Sequence, residues 1–194
     1  MPYGGERVVQ SHSRLYRERS RQFKITIPPA TATAGGGSIQ LALLIATNSP
    51  TRCIELDKLV VCSSFTSTGA TSHIPPQSAI INVYQTATIT ASGNTLGVVN
   101  IDRRSATTAR WATAWYNGTY SFNAATLLTG GHCAFGSPWI CDDGWIVPGI
   151  AAKFGNVVID VTNYSPYVQY ISISARITEV SDDEITYQHL DPNL

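Results

Sequence analysis

Between Ser38 and Val180 the sequence sustains no long apolar pattern at helical spacing. Short segments of alternating apolar residues are separated instead by Gly, Pro, Ser, Thr and Asn. Alternation sends successive side chains to opposite faces of a strand, so such segments bury their apolar halves by stacking one sheet on another. Ser38–Thr47 places Ile39, Leu41, Leu43 and Ile45 on one face; Cys53–Phe65 carries Ile54, Leu56, Val60 and Val61; Ala79–Thr90 is dense in β-branched residues. Further strands are expected over Phe23–Ile27, Thr95–Ile101, Thr119–Leu128, Trp145–Ala152, Asn156–Thr162 and Tyr167–Val180, with turns at 48–50, 92–94 and 163–166. Phe23–Ile27 reads as an edge strand halted by Pro28-Pro29. Residues 102–118 read as a long insertion or a short helix at one end, and 69–77 and 130–144 as loops. Asp160, inside an apolar strand, is expected to face solvent. The fold class is all-β: a single antiparallel β-sandwich of about eight to ten strands with an extended N-terminal arm. A jelly roll is preferred to an immunoglobulin-type sandwich, because no Cys…Trp…Cys spacing stands out.

At 194 residues one domain suffices. Its organisation reads as a basic, flexible arm over 1–22, the sandwich over 23–180 and an acidic tail over 181–194. The formal net charge of zero conceals a dipole: residues 1–24 hold Arg7, Arg14, Arg17, Arg19, Arg21 and Lys24 against Glu6 and Glu18, a net of +4. Residues 179–194 hold Glu179, Asp182, Asp183, Glu184 and Asp191 with no Lys or Arg, a net of −5. A zero total makes nucleic acid an unfavoured main partner. Charged residues make up 13% of the chain, roughly half the usual share, so copies repel one another weakly. No run reaches the ~18 apolar residues of a membrane span, and no secretory apolar region opens the sequence. Synthesis and folding in a cytoplasm are expected, with the four cysteines as thiols by default.

Catalytic chemistry is hard to assemble from these residues. His12, His73, His132 and His189 are scattered, and His132-Cys133 are sequence neighbours that do not readily face one another. His132, Cys133, Cys141 and Asp142 lack metal-ligand spacing, and Asp142-Asp143-Gly144 is foremost a turn. Gly35-Gly36-Gly37 lacks the ending of a phosphate loop. No enzyme activity, cofactor or metal is expected. Cys133 and Cys141 could be bridged under oxidation; Cys53 and Cys62, on one strand, should not be. The better signals are surfaces. Arg14, Arg17, Arg19 and Arg21 suit bidentate pairing with a neighbour's carboxylates. All four tryptophans lie between 111 and 145, making Trp111, Trp115, Tyr116 and Trp139 candidate subunit contacts unless they fill or cap the core; a sugar platform at Trp111, Trp115 or Trp139 is the alternative.

Several stretches carry a family likeness: Ile54–Val61, Ile80–Thr90, Thr95–Asp102, Gly144–Gly149, Asn156–Asn163 and Val168–Ile177. Their order, ending in a Pro-Gly, strand, Thr-Asn, strand pattern, resembles small jelly-roll virion proteins of tailed bacteriophages over roughly 38–180. The resemblance is architectural and rests on no diagnostic motif. It implies a non-enzymatic capsid decoration or cement subunit located in the virion. Such a subunit is expected to be oligomeric, with a trimer favoured, and to bind major capsid or tail proteins. A collar, tail or fibre component and a carbohydrate- or receptor-binding module are the alternatives.

Overall fold

The computed structural model describes residues 21–32, 41–47, 52–65, 79–85, 88–91, 93–102, 106–121, 126–134, 136–147, 156–165 and 167–181. The regular elements among them are all strands: β1 (Gln22–Ala32), β2 (Leu41–Thr47), β3 (Arg52–Phe65), β4 (Ala79–Gln85), β5 (Thr88–Ala91), β6 (Asn94–Thr95), β7 (Val98–Asn100), β8 (Ala112–Tyr116), β9 (Thr119–Ser121), β10 (Thr126–Cys133), β11 (Trp139–Cys141), β12 (Trp145–Val147), β13 (Asn156–Asn163) and β14 (Gln169–Ser181). One sheet runs β11-β3-β14-β1-β7, with β12 also on β3; the second runs β10-β4-β13-β2-β8-β6; β5 and β9 form a separate ribbon. All pairs are antiparallel, and they nest: β1 with β14, β2 with β13, β3 with β11 and β4 with β10. From β1 to β4 successive strands alternate between the two sheets, and β13 and β14 do so again.

Alternation explains the core. Phe23, Ile25 and Ile27 of β1, Leu56 and Val61 of β3, and Ile171, Ile173 and Ile177 of β14 face Leu43, Ile45, Ile81, Val83, Val157 and Ile159 of the other sheet. Burying each such side chain is worth about 1.5–3 kcal/mol. Strand β2 is apolar on both faces for a second reason. Its outward Ala42 and Leu44, with Val158 of β13, form another small core beneath Ile89, Trp115 and Tyr120. The β5–β9 ribbon thus covers part of the second sheet's outer face.

Several expectations change. Pro28-Pro29 does not stop β1, because a register shift between Ile27 and Ala30 lets two residues without N–H donors pass where the ladder is interrupted. Nor is the first half of β1 an edge, since β7 pairs with Phe23–Ile25. Residues 112–116 form a strand, not a helix, with Ala112 and Ala114 buried and Thr113 Oγ1 donating to the Ala46 carbonyl at 3.0 Å. The expected loop 130–144 contains the end of β10 and all of β11. Asp160 is buried rather than solvent-facing, because its outward side of β13 lies near Tyr120 of the ribbon; Asn82 Nδ2 donates to its Oδ1 at 3.1 Å.

Candidate functional site

The first and last strands of the sandwich lie side by side. Gln22 pairs with Thr178 and the Glu179 N–H donates to the Arg21 carbonyl at 3.1 Å, so the chain enters and leaves the described sandwich at one end. There the inward phase of β14, carried by Ile173, Ala175 and Ile177, continues to Glu179. A carboxylate consequently occupies a core-facing position opposite Ile54. It is 2% exposed, and burial without partners would be costly. The partners are main-chain donors: Arg110, Trp111 and Ala112 direct consecutive N–H groups at Glu179 Oε1, at 2.9, 3.0 and 3.0 Å. Such a cluster of amides satisfies an anion without a counter-cation.

Glu179 thereby pins the segment leading into β8, and Trp111 is held again through its indole N–H, which donates to the Cys53 carbonyl at 3.2 Å. Arg52 lies over the Trp111 ring, 5.7 Å from its centroid. Beside these groups opens a hollow of about 410 Å³ lined by Arg21, Phe23, Arg52, Thr107, Arg110, Trp111 and Glu179. Three guanidinium side chains line it against one carboxylate whose Oε1 already has three donors. The chemistry is that of an anion-accepting rim. Among the described residues no histidine, cysteine or serine lines it.

Two other polar clusters serve the sheets. Asp57 is the extra residue of a bulge in β3, since Lys58 pairs with Arg176 and Leu56 with Ile177. Thr178 Oγ1 donates to Asp57 Oδ2 at 2.7 Å. Burial pushes the Asp57 carboxyl up to about 6; the Thr178 hydrogen bond and Arg176 oppose this, while Glu55 reinforces it. Burial likewise raises Glu55. Under the ribbon, burial raises Asp160 despite the Asn82 hydrogen bond, and burial, then the Asp160 charge, raises Tyr120 and Tyr84.

The structure distributes the expected contact residues. Arg14, Arg17 and Arg19 lie outside the described residues, while Arg21 lines the hollow. Trp111, Tyr116 and Trp139 are half-buried against the main core, and Trp115 against the small core under the ribbon. Trp115 and Tyr116 are adjacent in β8 and therefore take opposite faces. Trp139 sits at the other side of the sandwich, its indole laid on Gly131 of β10. His132 is exposed whereas Cys133 is buried, its thiol donating to the Val61 carbonyl at 3.3 Å, so this pair points to opposite faces. Cys53, Cys62, Cys133 and Cys141 are all free thiols; Cys133 and Cys141 are not bridged. Among the described residues no group of three or more His, Cys, Asp or Glu could hold a metal. Sequence reasoning missed Glu179 as anything but tail charge and overlooked Arg52. The available signal was an acid in phase with the buried alternation of β14.

No protein-family model matches this chain, and no curated protein does. Among solved structures it is similar to the Yersinia pseudotuberculosis-derived mitogen, at 13% identity and a TM-score of 0.35 over 82% of this chain and 87% of that one. It is also similar to a structure of infectious bursal disease virus, Gx strain, at 10% identity and a TM-score of 0.30 over 90% of this chain. This chain spans 43% of that viral chain. Both likenesses amount to a loose β-sandwich resemblance.

Proposed function

We infer that this chain is a non-enzymatic structural subunit of a virus particle, with a jelly-roll sandwich acting as a capsid decoration or cement protein. The observation that carries the reading is the nested pairing of β1 with β14, β2 with β13, β3 with β12 and β11, and β4 with β10, the connectivity of a rolled-up hairpin. Jelly rolls recur in viral capsids, lectins and cupins. A cupin needs an interior site, and here the interior is filled by Phe23, Leu43, Ile45 and Ile159. A lectin needs presented aromatics, and the four tryptophans are instead packed against the cores. What supports assembly is the weakly charged surface together with a basic arm and an acidic tail that start from one end. Repeated weak contacts in a symmetric particle then add through effective concentration.

The test is the absolute mass of the intact chain in solution by light scattering after size exclusion. A trimer or larger species is the expected result. A strict monomer at every concentration overturns self-assembly. A carbohydrate-binding reading has one observation in its favour: Tyr164, Tyr167 and Tyr170 are exposed at the end opposite the arm and tail. Binding on a glycan array, lost on replacing Tyr164 and Tyr167 by alanine, would favour it instead.

A further inference from the structure

We propose that the arginine-rimmed hollow beside Glu179 is a docking site for an acidic peptide segment, and that its occupant is the chain's own C-terminal tail. Arg52 and Arg110 are exposed, and neither has an ion pair among the described residues. Glu179 offsets only one of the three guanidinium charges that line the hollow, and its Oε1 is already engaged by the Arg110, Trp111 and Ala112 amides. The hollow is therefore a concave patch with surplus positive charge and an aromatic wall at Trp111.

The tail begins at this patch. Ser181, the last described residue, pairs with Arg52 across the β14–β3 ladder. The 13 residues that follow contain Asp182, Asp183, Glu184 and Asp191 and no Lys or Arg. At ~3.3 Å per residue, Asp182–Glu184 lie within about 10 Å of Ser181. Tethering at that distance gives an effective concentration in the millimolar range, beyond what a free acidic partner supplies. Bidentate guanidinium–carboxylate pairs are the strongest contact such residues can make. A tail held here covers the site until a more acidic surface displaces it.

Hydrogen–deuterium exchange on the intact chain tests this. Amides of 182–194 are expected to exchange about tenfold more slowly at low ionic strength than in an Arg52→Ala/Arg110→Ala double variant. The protection should vanish near ~0.5 M salt, where screening is short-ranged. A second variant, Asp182→Asn/Asp183→Asn/Glu184→Gln, leaves the hollow untouched and must lose the same protection, which separates docking from misfolding of the arginine variant. Random-coil exchange in the wild type overturns the proposal. So does protection that survives the double arginine change, which would place the tail on the basic arm. Protection that grows with protein concentration assigns the site to a second copy's tail and overturns the intramolecular form. A monomer with a protected tail would sustain this inference while overturning self-assembly.

Discussion

Replacing Glu179 by alanine probes a buried carboxylate that holds two distant parts of the chain together. Its Oε1 accepts from three consecutive amides at 2.9–3.0 Å, and those amides introduce β8. A hydrogen bond to a charged group contributes roughly 1.5–3 kcal/mol, but three donors sharing one oxygen do not add fully. In the alanine variant water can enter from the adjoining hollow and reach Arg110 and Trp111, which are only part-buried, whereas the Ala112 donor is buried. One orphaned buried donor costs about 1–3 kcal/mol, and two rehydrated ones cost less. The total loss is therefore about 3 kcal/mol. For a chain of this length each kcal/mol moves the melting point by roughly 2–4 °C, so Glu179→Ala should melt about 6–12 °C lower. Glu179→Gln keeps an oxygen in place and loses only the charge assistance, so its drop should be less than half as large. Thermal unfolding followed by circular dichroism, with Trp111 environment read by near-ultraviolet signal, measures both. An alanine variant within about 1 °C of wild type refutes the pinning role. A glutamine variant as damaged as alanine refutes the hydrogen-bond reasoning and points to charge alone.

Asp57 sets a pH dependence. Its folded carboxyl titrates at about 6, above the ~3.9 of an unfolded chain, so the native state binds more protons between these values. Stability from this group is full below about pH 4 and lost as pH rises through 6, and Asp57→Asn should gain about 1–2 kcal/mol at pH 7.5 and nearly nothing at pH 4 in urea titrations. An equal gain at both values rejects the assignment. Gly131→Ala should destabilise by about 1–3 kcal/mol, because a Cβ there overlaps the Trp139 indole, lying 2.7 Å from Cδ1 and 2.9 Å from Cε2; Trp139→Leu in the same chain should recover part of the loss. A thiol reagent should modify Cys62 rapidly in the native protein, and Cys53, Cys133 and Cys141 only on unfolding, for four thiols in all. Two thiols in denaturant would mean that a disulfide forms.

Strand identity was legible wherever alternation was clean. Leu41, Leu43 and Ile45 alternate into the main core as their spacing predicts, and the expected strands over Cys53–Phe65 and Asn156–Thr162 fall in β3 and β13. A short strand escaped for the opposite reason. Trp139–Cys141 is three residues long, too brief to show a period, and it is held by pairing to β3 and by packing of Trp139 on the core, whereas Trp145–Val147 falls at the start of an expected strand. The strand expected over Ala79–Thr90 carries one continuous β-branched signal, yet β4 ends at Gln85 and β5 resumes at Thr88 in a different sheet. Propensity cannot locate such a change of partner. Asp160 misled because alternation gives the face of a strand but not what covers that face.

The covered face bears directly on where contacts can form. Ala42, Leu44 and Val158 would make an apolar patch on the outside of the second sheet, the kind of surface that usually marks a subunit interface. Here the chain supplies its own cover through Ile89, Trp115 and Tyr120, so that patch needs no second copy. The outer side of the first sheet carries Lys24, Glu55, Lys58 and Arg176 among its half-buried and exposed positions, and charge is poor material for the centre of an interface. Contact is therefore expected to concentrate at the two ends: the tyrosine-bearing turn at 163–168 and the arginine-rimmed hollow where arm and tail begin. Of these, the hollow has charge without an ion-pair partner among the described residues at Arg52 and Arg110, and an acidic segment joined to it by the backbone. A partner that engages this end must compete with the tail, so neutralising Asp182, Asp183 and Glu184 should tighten binding of any acidic surface to the hollow rather than weaken it.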